Sequence, residues 1–188
     1  MNLFDNGNVK LLRGHFLPFL ALFLAFSVKF PVLIRSSAAA ESTQATVRTA
    51  FGEDCEAMLI REVSEARKDV LVAIYSLTRR NINAALVKAV RRGVKVTVKY
   101  DARQENMEAM KDSISFLKKN GVTCLSVRMS GEYAAMHHKF VVIDRKRVLT
   151  GSYNYTVPAT ELNYENLVLI ESPEAAEAFL KEFERIKD

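Results

Sequence analysis

The sequence predicts an α/β fold, with one domain occupying residues 41–188 of the 188-residue chain. Apolar segments of strand-like and helix-like periodicity alternate along this region, a pattern typical of a sheet covered by helices on both faces. About 148 residues is close to the usual size of one domain and is enough to bury a sizeable core. The sequence contains no repeat, long linker or low-complexity tract that would indicate a second domain.

The elements follow from the hydrophobic periodicity and from the residues that end each segment. Gly93 and Gly121 lie where helices are expected to end, and Pro173 suits the first turn of a helix. Predicted helices cover residues 54–68, 80–92, 106–119 and 173–186, and predicted strands cover residues 69–77, 94–101, 122–128 and 165–171. A β-hairpin is expected over residues 137–150, with the turn at residues 144–146.

The first forty residues have a different character from the rest. Lys10 and Arg13 precede an uncharged, mostly apolar run over residues 16–28, and small residues follow at 36–40. This order predicts an export signal cleaved after Ala40, and therefore a periplasmic location in a bacterium. An uncleaved membrane anchor facing the periplasm is the alternative, because residues 16–34 contain a single charge, Lys29.

The expected hairpin carries the polar residues with the clearest chemistry. Side chains alternate faces along a strand, so His137 and Lys139 share one face and His138 lies on the other. A neutral imidazole can attack phosphorus and a protonated imidazole can act as a general acid. Lys139 can neutralise phosphate oxygens, and Ser152 and Asn154 can donate hydrogen bonds to them. Gly151 is expected to let the backbone come close to a ligand.

These residues resemble a known signature. The pattern His137-x-Lys139, four residues, Asp144, six residues, Gly151-Ser152-x-Asn154 is similar to the HxK(x)4D(x)6GSxN motif of the phospholipase D superfamily. The chain has one copy of the motif, as in the small nuclease branch of that family, and the likeness extends over about residues 46–188. The resemblance implies a single phospholipase D-like domain with a mixed β-sheet flanked by helices on both faces.

The resemblance also implies roles for the individual residues. His137 would be the catalytic nucleophile that forms a phosphohistidine, and Lys139, Ser152 and Asn154 would bind the phosphate. Glu165 would orient the imidazole by a hydrogen bond. Asp144 is counted with the catalytic signature, although its implied role is to anchor the hairpin. These are the candidate catalytic residues His137, Lys139, Asp144 and Glu165.

One motif supplies one histidine to a reaction that needs two in opposite protonation states. The resemblance therefore implies a homodimer in which a second subunit's His137 protonates the leaving group. No metal and no cofactor is implied. Cys55 and Cys124 lack the spacing of zinc ligands, and either a disulfide or burial as small apolar residues is open for them.

Charge gives a weaker indication of the substrate. Four basic residues and one acidic residue precede residue 41, so the domain keeps 23 of the 27 basic and 21 of the 22 acidic residues. A basic set in the middle of the domain, faced by the single acid Asp101, could follow a polyanion, and half of it could equally be a solvated helix face. This basic set is Arg79, Arg80, Lys88, Arg91, Arg92, Lys95, Lys99 and Arg103.

Three functions are consistent with the sequence. The first is a metal-independent endonuclease that hydrolyses DNA or RNA, single- or double-stranded, as a homodimer. The second is a phospholipase D or cardiolipin-type lipid hydrolase held at a membrane by the N-terminal segment. The third is a non-catalytic nucleic-acid-binding or uptake protein, against which the complete motif argues. A nuclease predicts that the basic set flanks the site, and a lipid hydrolase predicts an apolar or aromatic rim.

Overall fold

The computed structural model describes residues 44–187. The predicted export signal or anchor, residues 1–40, lies outside the described residues, so its nature and its boundary stay predictions. Between residues 44 and 187, no helix is long and apolar enough to cross a membrane.

A seven-stranded mixed sheet forms the centre of the domain, with the strand order β1-β7-β6-β5-β2-β3-β4. The strands β2, β3 and β4 are parallel to one another, and the remaining neighbours are antiparallel. In chain order, the strands are β1 (Thr46–Phe51), β2 (Asp69–Ile74), β3 (Lys95–Asp101), β4 (Thr123–Val127), β5 (Lys139–Ile143), β6 (Arg147–Gly151) and β7 (Asn166–Glu171).

Helices cover both faces of the sheet, as predicted. The helices are α1 (Asp54–Glu65), α2 (Arg80–Arg91), α3 (Glu108–Lys119), α4 (Val157–Glu161) and α5 (Pro173–Arg185). One core contains buried residues of α1, α2 and α3, and a second core on the opposite face contains Ala176 and Phe183 of α5. Side chains of β5 alternate between these cores, with Val141 in the first and Phe140 in the second. This alternation is the one expected for the hairpin.

Some elements differ from the sequence prediction. The first helix ends at Glu65 and not at residue 68, because the backbone N–H groups of Arg67 and Lys68 donate to the Asp144 carboxylate. Strand β1 was not predicted, since five of its six residues are exposed at the edge of the sheet and give no hydrophobic pattern. The short helix α4 and a 3₁₀ turn at Ala102–Asn106 were also missed.

The disulfide alternative for the two cysteines is wrong within one chain. Both thiols are buried and free. Cys55 Sγ lies 4.0 Å from the carbonyl oxygen of Glu165, just before β7. Cys124 is in the edge strand β4, which is five strand positions from β7 and therefore roughly 24 Å away at about 4.8 Å per strand. A disulfide needs Cα atoms within about 7 Å of each other.

Candidate active site

Most of the candidate site residues meet at one edge of the sheet, which here means the side where the ends of the inner strands β5, β6 and β7 lie next to one another. Strands β5 and β7 start at this edge and β6 ends there, because the three are antiparallel neighbours. His137 lies two residues before the start of β5, Ser152 immediately follows β6, and Glu165 immediately precedes β7. Asn154 lies two residues beyond Ser152. The sheet topology thus brings together residues that are up to 28 positions apart in the sequence.

His137 and Lys139 lie against each other and against Tyr75. Lys139 Nζ lies 3.3 Å from each nitrogen of the His137 ring and donates a hydrogen bond to the His137 carbonyl oxygen at 2.9 Å. The Tyr75 ring centroid is 4.7 Å from that of His137 and 5.4 Å from Lys139 Nζ. Tyr75 extends from the end of β2, where its N–H donates to the His138 carbonyl oxygen at 2.9 Å. The imidazole therefore packs against both an ammonium and an aromatic ring.

This environment favours the neutral form of His137. Desolvation and then the nearby Lys139 charge lower the pKa of the imidazole below its ordinary value. Desolvation also lowers the pKa of Lys139, while the Glu165 carboxylate raises it. A neutral imidazole beside an ammonium is the state that can attack a phosphodiester whose oxygens the ammonium neutralises.

Ser152 is fixed by its neighbours at the end of β6. Its hydroxyl donates to a Glu165 carboxylate oxygen and accepts a hydrogen bond from the Asn166 N–H at 3.1 Å. Gly151 has a packing role that differs from the expected approach to a ligand. A Cβ at this position would lie 2.2 Å from the Asn166 carbonyl oxygen, so the neighbouring strand, and not a ligand, requires glycine.

Glu165 lies in the site, with partners other than the imidazole. One carboxylate oxygen accepts from Ser152 and the other accepts from Asn163 Nδ2 at 3.2 Å. The orienting contact to His137 that the resemblance implies stays a prediction. Asn154 Oδ1 is buried and has no hydrogen-bond partner within residues 44–187, so its carboxamide is not committed to the fold through that oxygen.

His138 lies on the opposite face from Lys139, as the strand alternation predicts. Its Nε2 lies 2.9 Å from a carboxylate oxygen of Glu182 on α5, and its ring packs edge-on against Phe140 at 5.3 Å. Glu182 also accepts hydrogen bonds from Arg185. The second histidine of the hairpin is thus engaged with α5.

Asp144 lies at the other end of β5, away from His137. Its carboxylate accepts hydrogen bonds from the backbone N–H groups of Arg67, Lys68 and Asp69 at 2.7–3.2 Å. Asp144 and Arg145 have φ angles of 53° and 56°, the left-handed conformation of a type I′ turn. The geometry therefore gives Asp144 contacts that tie the hairpin turn to the loop before β2.

Asp101 was not singled out as a site residue, although it holds the segment that carries His137. Its side chain is buried at the end of β3, and its Oδ2 accepts from the Met136 N–H at 2.8 Å. Its Oδ1 accepts from the Arg103 N–H at 3.0 Å. An aspartate at the carboxyl end of a parallel strand was the available sequence signal, but nothing local connects it to a residue 35 positions away.

The basic set does not form one surface. Lys99 Nζ donates to two carbonyl oxygens at the end of α5, and Arg79 is bound to Glu56 and Glu161. Four other basic residues lie toward the edge of the sheet opposite the site, because they belong to the second half of α2, the turn after it or the start of β3. They are Lys88, Arg91, Arg92 and Lys95. Arg80 and Arg103 remain on the site's side, at the start of α2 and just after β3.

Residues that could ligate a metal are dispersed over the described part of the chain. No three His, Cys, Asp or Glu side chains among residues 44–187 are grouped closely enough to hold a metal ion. The independence from metal that the sequence implies stays a prediction for assay in a chelator.

Comparison with known proteins identifies the family. Residues 59–187 match the family described as "Cardiolipin synthase, PLD-like domain". The chain therefore belongs to the phospholipase D superfamily, which confirms the sequence-based assignment of the family and of the fold. The part of the chain that these comparisons cover is a phosphodiesterase domain of that superfamily.

Two relatives are similar in sequence to about three quarters of this chain. The chain is 33% identical over 135 residues to the mitochondrial cardiolipin hydrolase of Canis lupus familiaris, covering 72% of this chain and 51% of that protein. It is 30% identical over 143 residues to a phospholipase D of Rickettsia prowazekii, covering 75% of this chain and 67% of that protein. The chain thus spans about half to two thirds of the length of these relatives.

Two solved structures share the whole domain. The phospholipase D family member Nuc from Salmonella typhimurium is 26% identical, with a TM-score of 0.71 and coverage of 76% of this chain and 94% of that chain. NucT from Helicobacter pylori is 28% identical, with a TM-score of 0.65 and coverage of 75% of this chain and 96% of that chain. Both are similar to this chain over nearly their full length, which the longer relatives are not.

Proposed function

We propose that the protein is a metal-independent endonuclease, which hydrolyses DNA or RNA through a phosphohistidine at a site shared by two subunits. The observation that carries the proposal is the placement of Lys139 Nζ against the His137 imidazole, 3.3 Å from each ring nitrogen. The ammonium disfavours protonation of the ring, which keeps it nucleophilic. The same ammonium can bind the non-bridging oxygens of a phosphodiester.

In this proposal His137 attacks phosphorus and the bond to the leaving oxygen breaks, which leaves a phosphohistidine. A second imidazole, in its protonated form, gives its proton to the leaving oxygen. It then takes a proton from water, which attacks the phosphohistidine and releases the phosphate monoester end. Ser152 and Asn154 would contribute hydrogen bonds to the phosphate oxygens in both steps.

The need for a second imidazole is the reason for proposing a homodimer. His138 is on the other face of the strand from Lys139 and is paired with Glu182, so it is engaged elsewhere. The only other histidine in the sequence is His15, in the predicted export signal. A two-fold dimer would place the partner's copy of the same loop opposite this one and supply the acid.

A nucleic acid substrate is supported by cations in two clefts near His137. A cleft of about 420 Å³ runs from His137 toward the end of α5, where it is lined by Lys187 and by Arg185, which is paired with Glu182. Arg80 lies at the start of α2, five residues after Tyr75, and lines a different cleft. A linear polyanion crossing the site could meet positive charge in both clefts, whereas a single lipid headgroup has no phosphate for the outer positions.

A lipid hydrolase is the second candidate, and the exposed apolar side chains near Glu165 favour it. Leu162 is 78% exposed, and Tyr164, adjacent to Glu165, is fully exposed. Tyr133, in the segment that leads to His137, is 88% exposed. Such side chains could enter a bilayer surface, and two of the relatives are named for lipid hydrolysis. For either substrate we propose export or anchoring at the periplasmic face.

One assay separates these possibilities. The purified protein is incubated in excess EDTA with single-stranded DNA, duplex DNA, RNA and cardiolipin vesicles, beside His137→Asn and the matched control His138→Asn. The proposal predicts cleavage of a nucleic acid, a loss of roughly 10⁴-fold in His137→Asn and near-normal activity in His138→Asn. Cleavage of vesicles alone would support the lipid candidate, and loss of activity in EDTA would reject the metal-free mechanism. Binding without cleavage would indicate an uptake or binding protein.

A further inference from the structure

A second cleft lies between the start of α2 and the middle of α3, apart from the His137 cleft. Its volume is about 490 Å³, which is within the range of small-molecule sites. The side chains that line it differ in chemistry and include a cation, a carboxylate, an amide, two hydroxyls and an aromatic ring. These residues are Thr78, Arg80, Asn83, Asp112, Ser113 and Phe116.

Three of these side chains have unused capacity for a ligand. The side chains of Arg80 and Asp112 make no hydrogen bond or ion pair within residues 44–187. Asn83 is only 3% exposed, and its Nδ2 donates to Ser113 Oγ at 3.0 Å. Its Oδ1 has no hydrogen-bond partner in the described part of the chain. A buried amide oxygen without a donor is costly, and a ligand that brings an N–H group to the cleft could remove that cost.

The aromatic wall makes a flat ligand the best fit. Phe116 is 44% exposed although it is large and apolar, so one part of its surface is open to a partner. Stacking of a base on an aromatic side chain is worth roughly 1–3 kcal/mol. The Asp112 carboxylate on the same helix, one turn earlier, accepts hydrogen bonds only. It therefore selects a ring whose edge carries N–H donors.

We propose that this cleft is a subsite for a nucleobase with adjacent N–H donors, of which guanine fits best, and that it reads a base beside the cut phosphodiester. Guanine presents its N1–H and N2–H₂ groups side by side, which matches the two oxygens of Asp112. Arg80 would neutralise the phosphate attached to that nucleotide. This inference rests on the proposed nuclease function, for which it names a sequence preference.

The cleft is close enough to His137 for one substrate strand to reach both. Tyr75 packs on the His137 ring, and Thr78 follows Tyr75 by three residues, so their Cα atoms are at most about 10 Å apart. The backbone N–H groups of Thr78 and Arg79 donate to the Tyr155 carbonyl oxygen at 2.7 and 2.8 Å. Tyr155 directly follows Asn154, so the cleft wall and the phosphate-binding loop are fastened together. The base read would be one or two nucleotides from the cut.

The first test measures the pocket without catalysis. The full-length His137→Asn protein is titrated with guanosine, inosine and adenosine, which have no phosphate to occupy the Lys139 site. Guanosine should bind saturably and adenosine about tenfold more weakly. Adding Asp112→Asn should weaken guanosine about tenfold, and adding Phe116→Ala should weaken all three nucleosides. Glu108→Gln, an exposed carboxylate on α3 outside the cleft, is the matched control and should change nothing. Absence of guanosine binding, or equal binding in Asp112→Asn, overturns the subsite.

The second test maps cut sites of the wild-type protein on single-stranded oligonucleotides of random sequence. Guanine should be enriched at one fixed position beside the cut, and Asp112→Asn should remove that enrichment. The two experiments separate two failures. If the protein binds guanosine in a way that depends on Asp112 but cuts no nucleic acid, the proposed function is rejected and the subsite is supported. Cleavage without any base preference, together with no guanosine binding, would sink the subsite alone.

Discussion

Replacing Asp144 by asparagine tests whether this residue of the signature is an anchor. The Asp144 carboxylate accepts from three backbone N–H groups, and its side chain is 13% exposed. Asparagine tolerates the left-handed φ of 53° and keeps one acceptor oxygen, so the substitution removes the charge and the second oxygen without straining the turn.

The expected cost follows from these contacts. A hydrogen bond to a charged group contributes about 1.5–3 kcal/mol, and the loops that supply two of the three donors are exposed, which lowers the figure. We expect Asp144→Asn to reduce the free energy of unfolding by about 2 kcal/mol. For a domain of this size, that corresponds to a fall in Tm of about 4–8 °C.

The assay is thermal unfolding of the full chain, combined with activity measured well below Tm. Asp112→Asn is the matched control, because its exposed carboxylate has no partner among residues 44–187, and its Tm should stay within about 1 °C of wild type. The kcat/KM of Asp144→Asn should stay within about threefold of wild type. An unchanged Tm with a large loss of kcat/KM would refute the anchor and would give Asp144 a catalytic role.

Gly151, His137 and Glu165 each allow a separate test of the contacts in the site. Gly151→Ala should lower the free energy of unfolding in urea by about 1–3 kcal/mol and lower activity by displacing Ser152, because the added Cβ would lie 2.2 Å from the Asn166 carbonyl oxygen. Wild-type stability would contradict this close packing. In NMR spectra assigned with His138→Gln, the pKa of His137 should be lower than the ordinary histidine value of about 6.5, so the neutral, nucleophilic imidazole persists as the pH falls through that value. A higher pKa would contradict the effect of burial and of the Lys139 charge. Glu165→Gln should lower kcat less than His137→Asn, since the carboxylate holds Ser152 and does not attack; an unchanged kcat would remove Glu165 from the site.

The sequence predicted the parts of the fold in which local pattern and tertiary structure agree. The hairpin was readable because a run of β-formers from Phe140 to Ile143 precedes a polar turn, after which apolar residues resume. The alternation of side-chain faces along a strand separated His137 from His138, and the structure places His138 on the α5 face. Strand β1 was missed because its residues are mostly exposed, so its pairing with β7 leaves no hydrophobic signal in the sequence.

The site was harder to predict where its contacts are not local. The spacing of the motif indicates which residues belong together, but not which atoms they contact. Glu165 holds Ser152 in the structure, and Gly151 makes room for the Asn166 carbonyl oxygen. The members of the basic set are close together in the sequence, but α2 begins at the edge of the sheet that carries the site and ends at the opposite edge. The members are therefore far apart in the structure. Buried acceptors such as Asp101, which holds Met136, need the fold before they can be recognised.

Trapping of the covalent intermediate is the most direct test of whether His137 attacks phosphorus without a metal. The protein is mixed with a phosphodiester substrate in excess EDTA, quenched in alkali to preserve phosphohistidine, digested and analysed by mass spectrometry. We expect a phosphoryl adduct on His137 during turnover, no adduct in His137→Asn and an undiminished adduct in His138→Asn. An adduct on another residue during turnover, or turnover that EDTA abolishes, would contradict a metal-free attack by His137.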